Sequence, residues 1–95
     1  MNIIWTEEAI DSFEAAFEGL AARFPRSAAE FADKVTDGIQ RLSEFPESAP
    51  MVPEFENPRF RQFRVGAYRM LYRISADGIT IEAFLHWSVR LDTGE

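Results

Sequence analysis

Phe63-Arg64-Val65-Gly66-Ala67-Tyr68-Arg69-Met70-Leu71-Tyr72-Arg73-Ile74 decides how this chain is read. Aromatic, β-branched and long apolar residues alternate with arginine on both sides of Gly66-Ala67, a dipeptide suited to a two-residue hairpin turn. The period of two predicts strands over Phe60–Val65 and Tyr68–Ile74. A third strand is read over Ile79–Trp87, after a second turn at Asp77-Gly78. If both loops hold two residues, Arg64 faces Arg69, Gln62 faces Leu71 and Phe60 faces Arg73. Across the second hairpin, Arg73 faces Glu82, Leu71 faces Phe84 and Arg69 faces His86.

Alternation then sorts the side chains onto two faces. Phe63, Val65, Tyr68, Met70, Tyr72, Ile74, Ile81, Ala83, Leu85 and Trp87 form a core face, with Arg61 out of character among them. Phe60, Gln62, Arg64, Arg69, Leu71, Arg73, Glu82, Phe84 and His86 form an open, arginine-lined face.

Upstream, Asn2–Trp5 reads as a short first strand. Thr6 offers a hydroxyl cap, and Glu7 and Glu8 place negative charge in the first turn of a helix. Ile10, Phe13, Phe17, Leu20 and Phe24 recur at helical spacing until Pro25. Ser27-x-x-Glu30 has the form of a capping box opening a second helix, whose stripe is Phe31, Val35, Gly38 or Ile39, Leu42 and Phe45. The short link predicts an antiparallel helical hairpin, with both stripes, Trp5 and Trp87 in the core. Residues 46–58 hold four of the five prolines and three acids, Glu47, Glu54 and Glu56, as an irregular connector.

The expected fold is α+β in the order β-α-α-β-β-β, an antiparallel sheet with the N-terminal helical hairpin on one face, in a single domain over residues 1–95. At 95 residues, 46% of them hydrophobic, one modest core is affordable. There is no cysteine for a disulfide or thiolate site. With no charged leader before an apolar run and no apolar stretch of about 20 residues, the expectation is a cytoplasmic protein.

The net charge of −6 is unevenly spread. Residues 1–58 carry 4 basic and 12 acidic side chains, residues 59–95 carry 6 and 4, and residues 59–73 carry five arginines and no acid. Overall acidity argues against broad nucleic-acid binding, while arginine favours planar, bidentate contacts within a local patch. Like charges opposite each other on a ladder repel. The Arg64–Arg69 pair therefore calls for an anionic partner, for splayed side chains in water, or for pairing with the acidic connector. Arg73 and Glu82 read as a structural ion pair and His86 as a strand-end histidine. Phe60, Leu71 and Phe84 either receive a partner's apolar side chains or lie beneath a folded-back C-terminal segment. One histidine and no clustered carboxylates at ligand spacing argue against a metal site, and no cofactor is expected.

The element order, the Ile4-Trp5-Thr6-Glu7-Glu8-Ala9 start, the 63–74 stretch and the last strand ending in His86 resemble the RelE/ParE family of bacterial type II toxin–antitoxin systems over residues 2–90. The resemblance implies a toxin neutralised by a cognate antitoxin whose extended segment wraps it, commonly as a heterotetramer. It also implies one of two activities: RelE-like members cut messenger RNA on the ribosome, and ParE-like members poison DNA gyrase without known catalytic residues. Cleavage without a metal needs a base for the 2′-hydroxyl and cations for the phosphorane.

Aligned on Tyr68-Arg69, the family's two nuclease lysines fall on Phe60 and Gln62, its later arginine falls near Val89 or Arg90, and residues 89–95 contain no tyrosine. The ParE-like reading therefore leads, with partner contacts expected at Phe60, Gln62, Arg64, Arg69, Leu71, Arg73 and Phe84. A nuclease would have to use Arg64, Arg69, His86 and Arg90. A third reading is an inert member that acts only as a binding partner.

Overall fold

The computed structural model describes residues 2–91. Its elements are β1 (Asn2–Trp5), α1 (Glu7–Arg23), α2 (Pro25–Glu44), β2 (Phe60–Val65), β3 (Tyr68–Ser75) and β4 (Gly78–His86). The α+β order is the one expected. The sheet runs β1-β4-β3-β2. Its last three strands are antiparallel neighbours, whereas β1 joins parallel to β4, so the sheet is mixed. The chain reverses twice through the helical hairpin between β1 and β2, which is why a parallel edge is attainable.

The β2–β3 register matches the expected one, with Arg64 opposite Arg69, and the turn places Gly66 at φ +58°. In that left-handed conformation a side chain is strained. The β3–β4 hairpin differs. Ser75 pairs with Gly78, so Ala76 and Asp77 form the turn, and the register slips between Leu71 and Tyr72. Tyr72 faces Ile81 and Leu71 faces Ala83, leaving Glu82 as the extra residue of a bulge on β4.

The bulge is anchored by two hydroxyls. Thr6 Oγ1 caps α1 by accepting from Ala9 N at 3.0 Å and donates to the Glu82 carbonyl at 2.9 Å. Ser12 Oγ accepts from Phe84 N at 2.9 Å. Backbone groups released from the ladder thus find partners on the segment that leads out of β1. Beyond the bulge the alternation inverts. Phe84 turns into the core beside Trp5, Phe13 and Phe31, and His86 lies edge-on to Tyr68 on the same face. Ala83 and Leu85 move to the other face, so the expected face assignment of all four is corrected.

Both helices pack on one face of the sheet, over a core that includes Val35, Leu42, Met70, Tyr72 and Ile81. The stripe of α1 is only partly core: Ala9 and Ala16 are its buried residues, Ile10 is 44% exposed and Phe24 60%. Small side chains let the helix approach β4, which rotates Ile10 outward. The expected capping box at Ser27 is also corrected. Pro25 opens α2 directly with Phe24 as an N-cap that makes no side-chain bond, because proline's fixed φ suits the first helical position. Phe31, Val35, Gly38 and Leu42 are buried as expected, while Phe45 just beyond α2 is exposed.

Two glycines permit close approach. A Cβ on Gly38 would lie 2.4 Å from the Phe63 ring, and one on Gly78 would lie 1.8 Å from the Asn2 carbonyl oxygen. The ring can tilt away, but the backbone of β1 cannot yield without losing its pairing. Gly78→Ala is expected to lower stability by about 1–3 kcal/mol and to speed amide exchange in Asn2–Trp5 selectively. Gly19→Ala, with nothing within 4 Å of its Cβ, is the matched control.

Candidate functional site

The non-helical face of β2 and β3 was expected to present a row of arginines to a partner. Two of the alternatives left open are realised there: the acidic connector and the segment after β4 fold across it. Pro50–Val52 runs beside the outer edge of β2, with Val52 N donating to Phe60 O at 3.0 Å and Gln62 N to Pro50 O at 2.9 Å. Arg61, the apparent misfit of the core face, explains part of this path. Its guanidinium donates to Pro58 O at 2.7 Å and to Ala49 O at 3.1 Å, tying carbonyls of the proline-rich connector that no ladder satisfies. Tyr72 adds a bond from its hydroxyl to Pro46 O at 2.6 Å, and burial pushes that phenol up to about 12.

The connector carries Glu54 onto Arg69. The carboxylate takes two parallel bonds from the guanidinium, 2.9 Å from Nη1 to Oε1 and 2.6 Å from Nη2 to Oε2. Both side chains are 4% exposed. Nη1 also donates to Gln62 Oε1 and Nη2 to the Val89 carbonyl, while Leu91 N donates to Glu54 Oε2. One buried ion pair thus holds connector, sheet and C-terminal segment together. The Arg69 hydrogen bonds hold the Glu54 carboxyl at about 2, against the opposing effect of burial. The Arg69 Nε–H meets no acceptor among the described residues.

This arrangement resolves the Arg64–Arg69 repulsion internally. Arg69 is neutralised by Glu54, and Arg64 turns away to lie over the Trp87 ring, its Cζ 4.0 Å from the centroid. A cation over an indole at an exposed site contributes about 0.5–1 kcal/mol. Trp87, expected in the core, is 46% exposed because β4 ends one residue earlier and the alternation has inverted.

The other expected contact residues scatter. Gln62, Arg69 and Leu71 are buried, as is Phe84 on the opposite face, so the open surface expected of them is corrected. Phe60 is half-buried against Phe55, their rings 5.1 Å apart. Arg73 pairs with Glu82 at 3.1 Å as expected, although Thr80 is its ladder partner and the bulged Glu82 reaches back to it. At about one-third exposure, this pair contributes at most about 1 kcal/mol.

Of the four residues a nuclease would need, Arg69 and Arg90 line one hollow with Glu54 and Trp87, Arg64 lies on the Trp87 ring, and His86 stands apart on the other face. Arg69 is enclosed with Glu54, and His86 is on the helix-side face, its Nδ1 accepting from Ser88 N at 3.1 Å. Arg64 lies over Trp87, and Arg90, 82% exposed, approaches Glu54 at 3.9 Å. Among the described residues no group of three or more His, Asp or Glu side chains is placed to hold a metal ion.

At the β2 edge of the sheet, Arg64 together with Lys34 and Arg41 of α2 lines an exposed groove between α2 and β2. Sequence reading missed these helix residues. Their seven-residue separation, two turns on one helical face, was the available signal.

Two predictions follow from the buried pair. Glu54→Gln leaves Arg69 buried without its counter-charge and is expected to cost about 3–5 kcal/mol, read by denaturant unfolding. Because the Glu54 carboxyl is depressed when folded, its contribution is complete above its ordinary value of about 4.5 and is lost as pH falls towards 2. Acid unfolding of the wild type should steepen in that window, and Glu54→Gln should flatten it.

Against known proteins, a family model described as the ParE toxin of the type II toxin–antitoxin system parDE matches residues 3–88. No curated protein sequence matched. Among solved structures, a chromosomal ParDE toxin–antitoxin system from P. aeruginosa is similar at a TM-score of 0.71 and 17% identity, over 90% of this chain and 95% of that one. A YoeB/ParE toxin from Agrobacterium tumefaciens is similar at 0.61 and 18%, over 90% and 98%. At such identities the structures establish the fold, and the family rests on the sequence model: the chain belongs to the ParE toxin family of type II toxin–antitoxin systems.

Proposed function

We propose that this ParE-type toxin acts in the cytoplasm by binding and inhibiting DNA gyrase, and that a cognate antitoxin neutralises it, commonly as a heterotetramer. The observation that carries the reading is the burial of Arg69 against Glu54. A strand arginine that would have to stabilise a phosphorane is instead consumed by an internal carboxylate, and Phe60 and Gln62 stand where the nuclease branch would place lysines. The ribosome-dependent nuclease reading is correspondingly weak, because metal-free cleavage needs a base and cations aimed at one phosphate. A toxin that acts by occupying its target needs no such convergence. No described helix is long and apolar enough to cross a membrane, and the proposed target and antitoxin are both reached in the cytoplasm.

In a purified supercoiling assay the protein should inhibit gyrase at micromolar concentration, with preincubated antitoxin restoring activity. Expression without the antitoxin should arrest growth, which the inert-partner alternative does not allow. Unimpeded supercoiling together with cleavage of ribosome-bound messenger, lost in Arg90→Ala, would replace this reading with the nuclease one.

A further inference from the structure

The two ends of α2 carry one motif with opposite charge. Arg23-Phe24-Pro25-Arg26 stands at its start and Glu44-Phe45-Pro46-Glu47 at its finish. The two phenylalanines hold nearly the same backbone, φ −139° and ψ 75° for Phe24 against φ −130° and ψ 71° for Phe45. Each N–H donates four residues back, to Leu20 O at 2.6 Å and to Arg41 O at 2.9 Å, and each residue is 60% exposed. Arg26 sits in the first turn of α2 and Glu44 in its last, so both oppose the helix dipole. Charges placed against a local preference point to a contact made elsewhere.

Between the ends, Glu30, Asp33, Lys34, Asp37 and Arg41 are exposed, while Phe31, Val35 and Leu42 are buried. None of these charges, nor the four at the ends, forms a salt bridge among the described residues. Turned end for end, the series is its own complement. In two antiparallel helices related by a two-fold axis, residues whose numbers share one sum lie opposite each other. Arg23 with Glu47 and Arg26 with Glu44 share the sum 70. Lys34 with Asp37 and Arg41 with Glu30 share the sum 71, one position away. Every cation from Arg23 to Glu47 thus meets an anion, and the symmetry makes each pair twice. Asp33 is the exception, because it falls near Asp37 of the second copy.

We propose that α2 is a contact between two copies of this chain, packed antiparallel about a two-fold axis. Each Arg-Phe-Pro-Arg end then lies against the other copy's Glu-Phe-Pro-Glu end. Such helices lie about 8–10 Å apart, and the 20 residues of α2 span about 30 Å. Exposed ion pairs contribute little individually, so the Phe24 and Phe45 rings supply the apolar area and the charges set the orientation. A nucleic acid carries one sign of charge and would meet the five acids of this stretch as well as its four cations. The second copy changes sign in the matching order, and the isologous contact closes at two chains. The proposal concerns contact between toxin copies and does not depend on gyrase, so it and the supercoiling assay fail independently.

Sedimentation equilibrium of the full-length protein is the test. The wild type should reach twice the chain mass as concentration rises to about 1 mM. Arg23→Glu with Arg26→Glu, and separately Glu44→Arg with Glu47→Arg, should each weaken self-association by about tenfold or more. An equimolar mixture of these two variants should dimerise. Overall attraction cannot explain that result, because four charge units removed from or added to −6 leave both negative, at −10 and −2. A chain bearing all four substitutions should pair with itself and not with the wild type. Asp33→Lys, which replaces the one mismatch by an opposite charge, should tighten the dimer by about tenfold. The substituted side chains are exposed, so the thermal midpoint of dilute protein should stay near that of the wild type. A monomer at 1 mM, growth past the dimer, or mixed variants that stay apart would overturn the proposal. A dimer that neither pair of substitutions weakens would overturn it as well.

Discussion

The slip of register on β4 governs much of the rest. With Glu82 unpaired, the strand inverts its faces between Ile81 and Phe84, and both residues reach the helix side despite a separation of three. Phe84 then joins Trp5, Phe13 and Phe31 in an aromatic cluster that unites β1, α1, α2 and the sheet. The hydroxyls of Thr6 and Ser12 make the slip tolerable by bonding to Glu82 O and Phe84 N. Each bond adds about 0.5–1.5 kcal/mol, and more would be lost if either backbone group were buried unpaired. The same contacts hold the start of α1 against β4, so the bulge and the position of the helical hairpin are one constraint.

On the opposite face a buried ion pair lies beside the buried side chain of Leu71. Arg69 and Glu54 bury a charge on each side, and such pairs are maintained by completeness of hydrogen bonding more than by attraction. Gln62, Val89 and Leu91 provide that bonding. The result is a surface on which the strand arginines have unequal fates: Arg69 is internal structure, Arg73 is held by Glu82, and Arg64 remains available over Trp87. A cluster of five arginines in sequence is therefore not a cluster of five free cations in space. At the β2 edge, Arg64 meets two further exposed cations, Lys34 and Arg41 of α2.

ParE membership and the placement of the individual arginines bear on different questions. Membership comes from a sequence pattern spread over residues 3–88. Convergence depends on the placement of a few side chains, and a fold carries unrelated activities when those change. Here Arg69 is buried as the partner of Glu54, and His86 turns towards Tyr68 on the other face of the sheet.

The sequence by itself determined the element order, the limits of β1 and β2, the turn at Gly66-Ala67 and the pairing of Arg64 with Arg69, because periodicity and turn chemistry act over neighbouring residues. It also made the acidic connector one of three answers to the charge repulsion on β3. The tertiary structure alone decided which acid answered, through Arg61 and Tyr72 fixing the path that delivers Glu54. It likewise decided the parallel direction of β1, the β4 bulge and the exposure of Trp87. An inserted residue in a strand leaves no mark on composition, and what stabilises it here are hydroxyls more than seventy positions away in the chain.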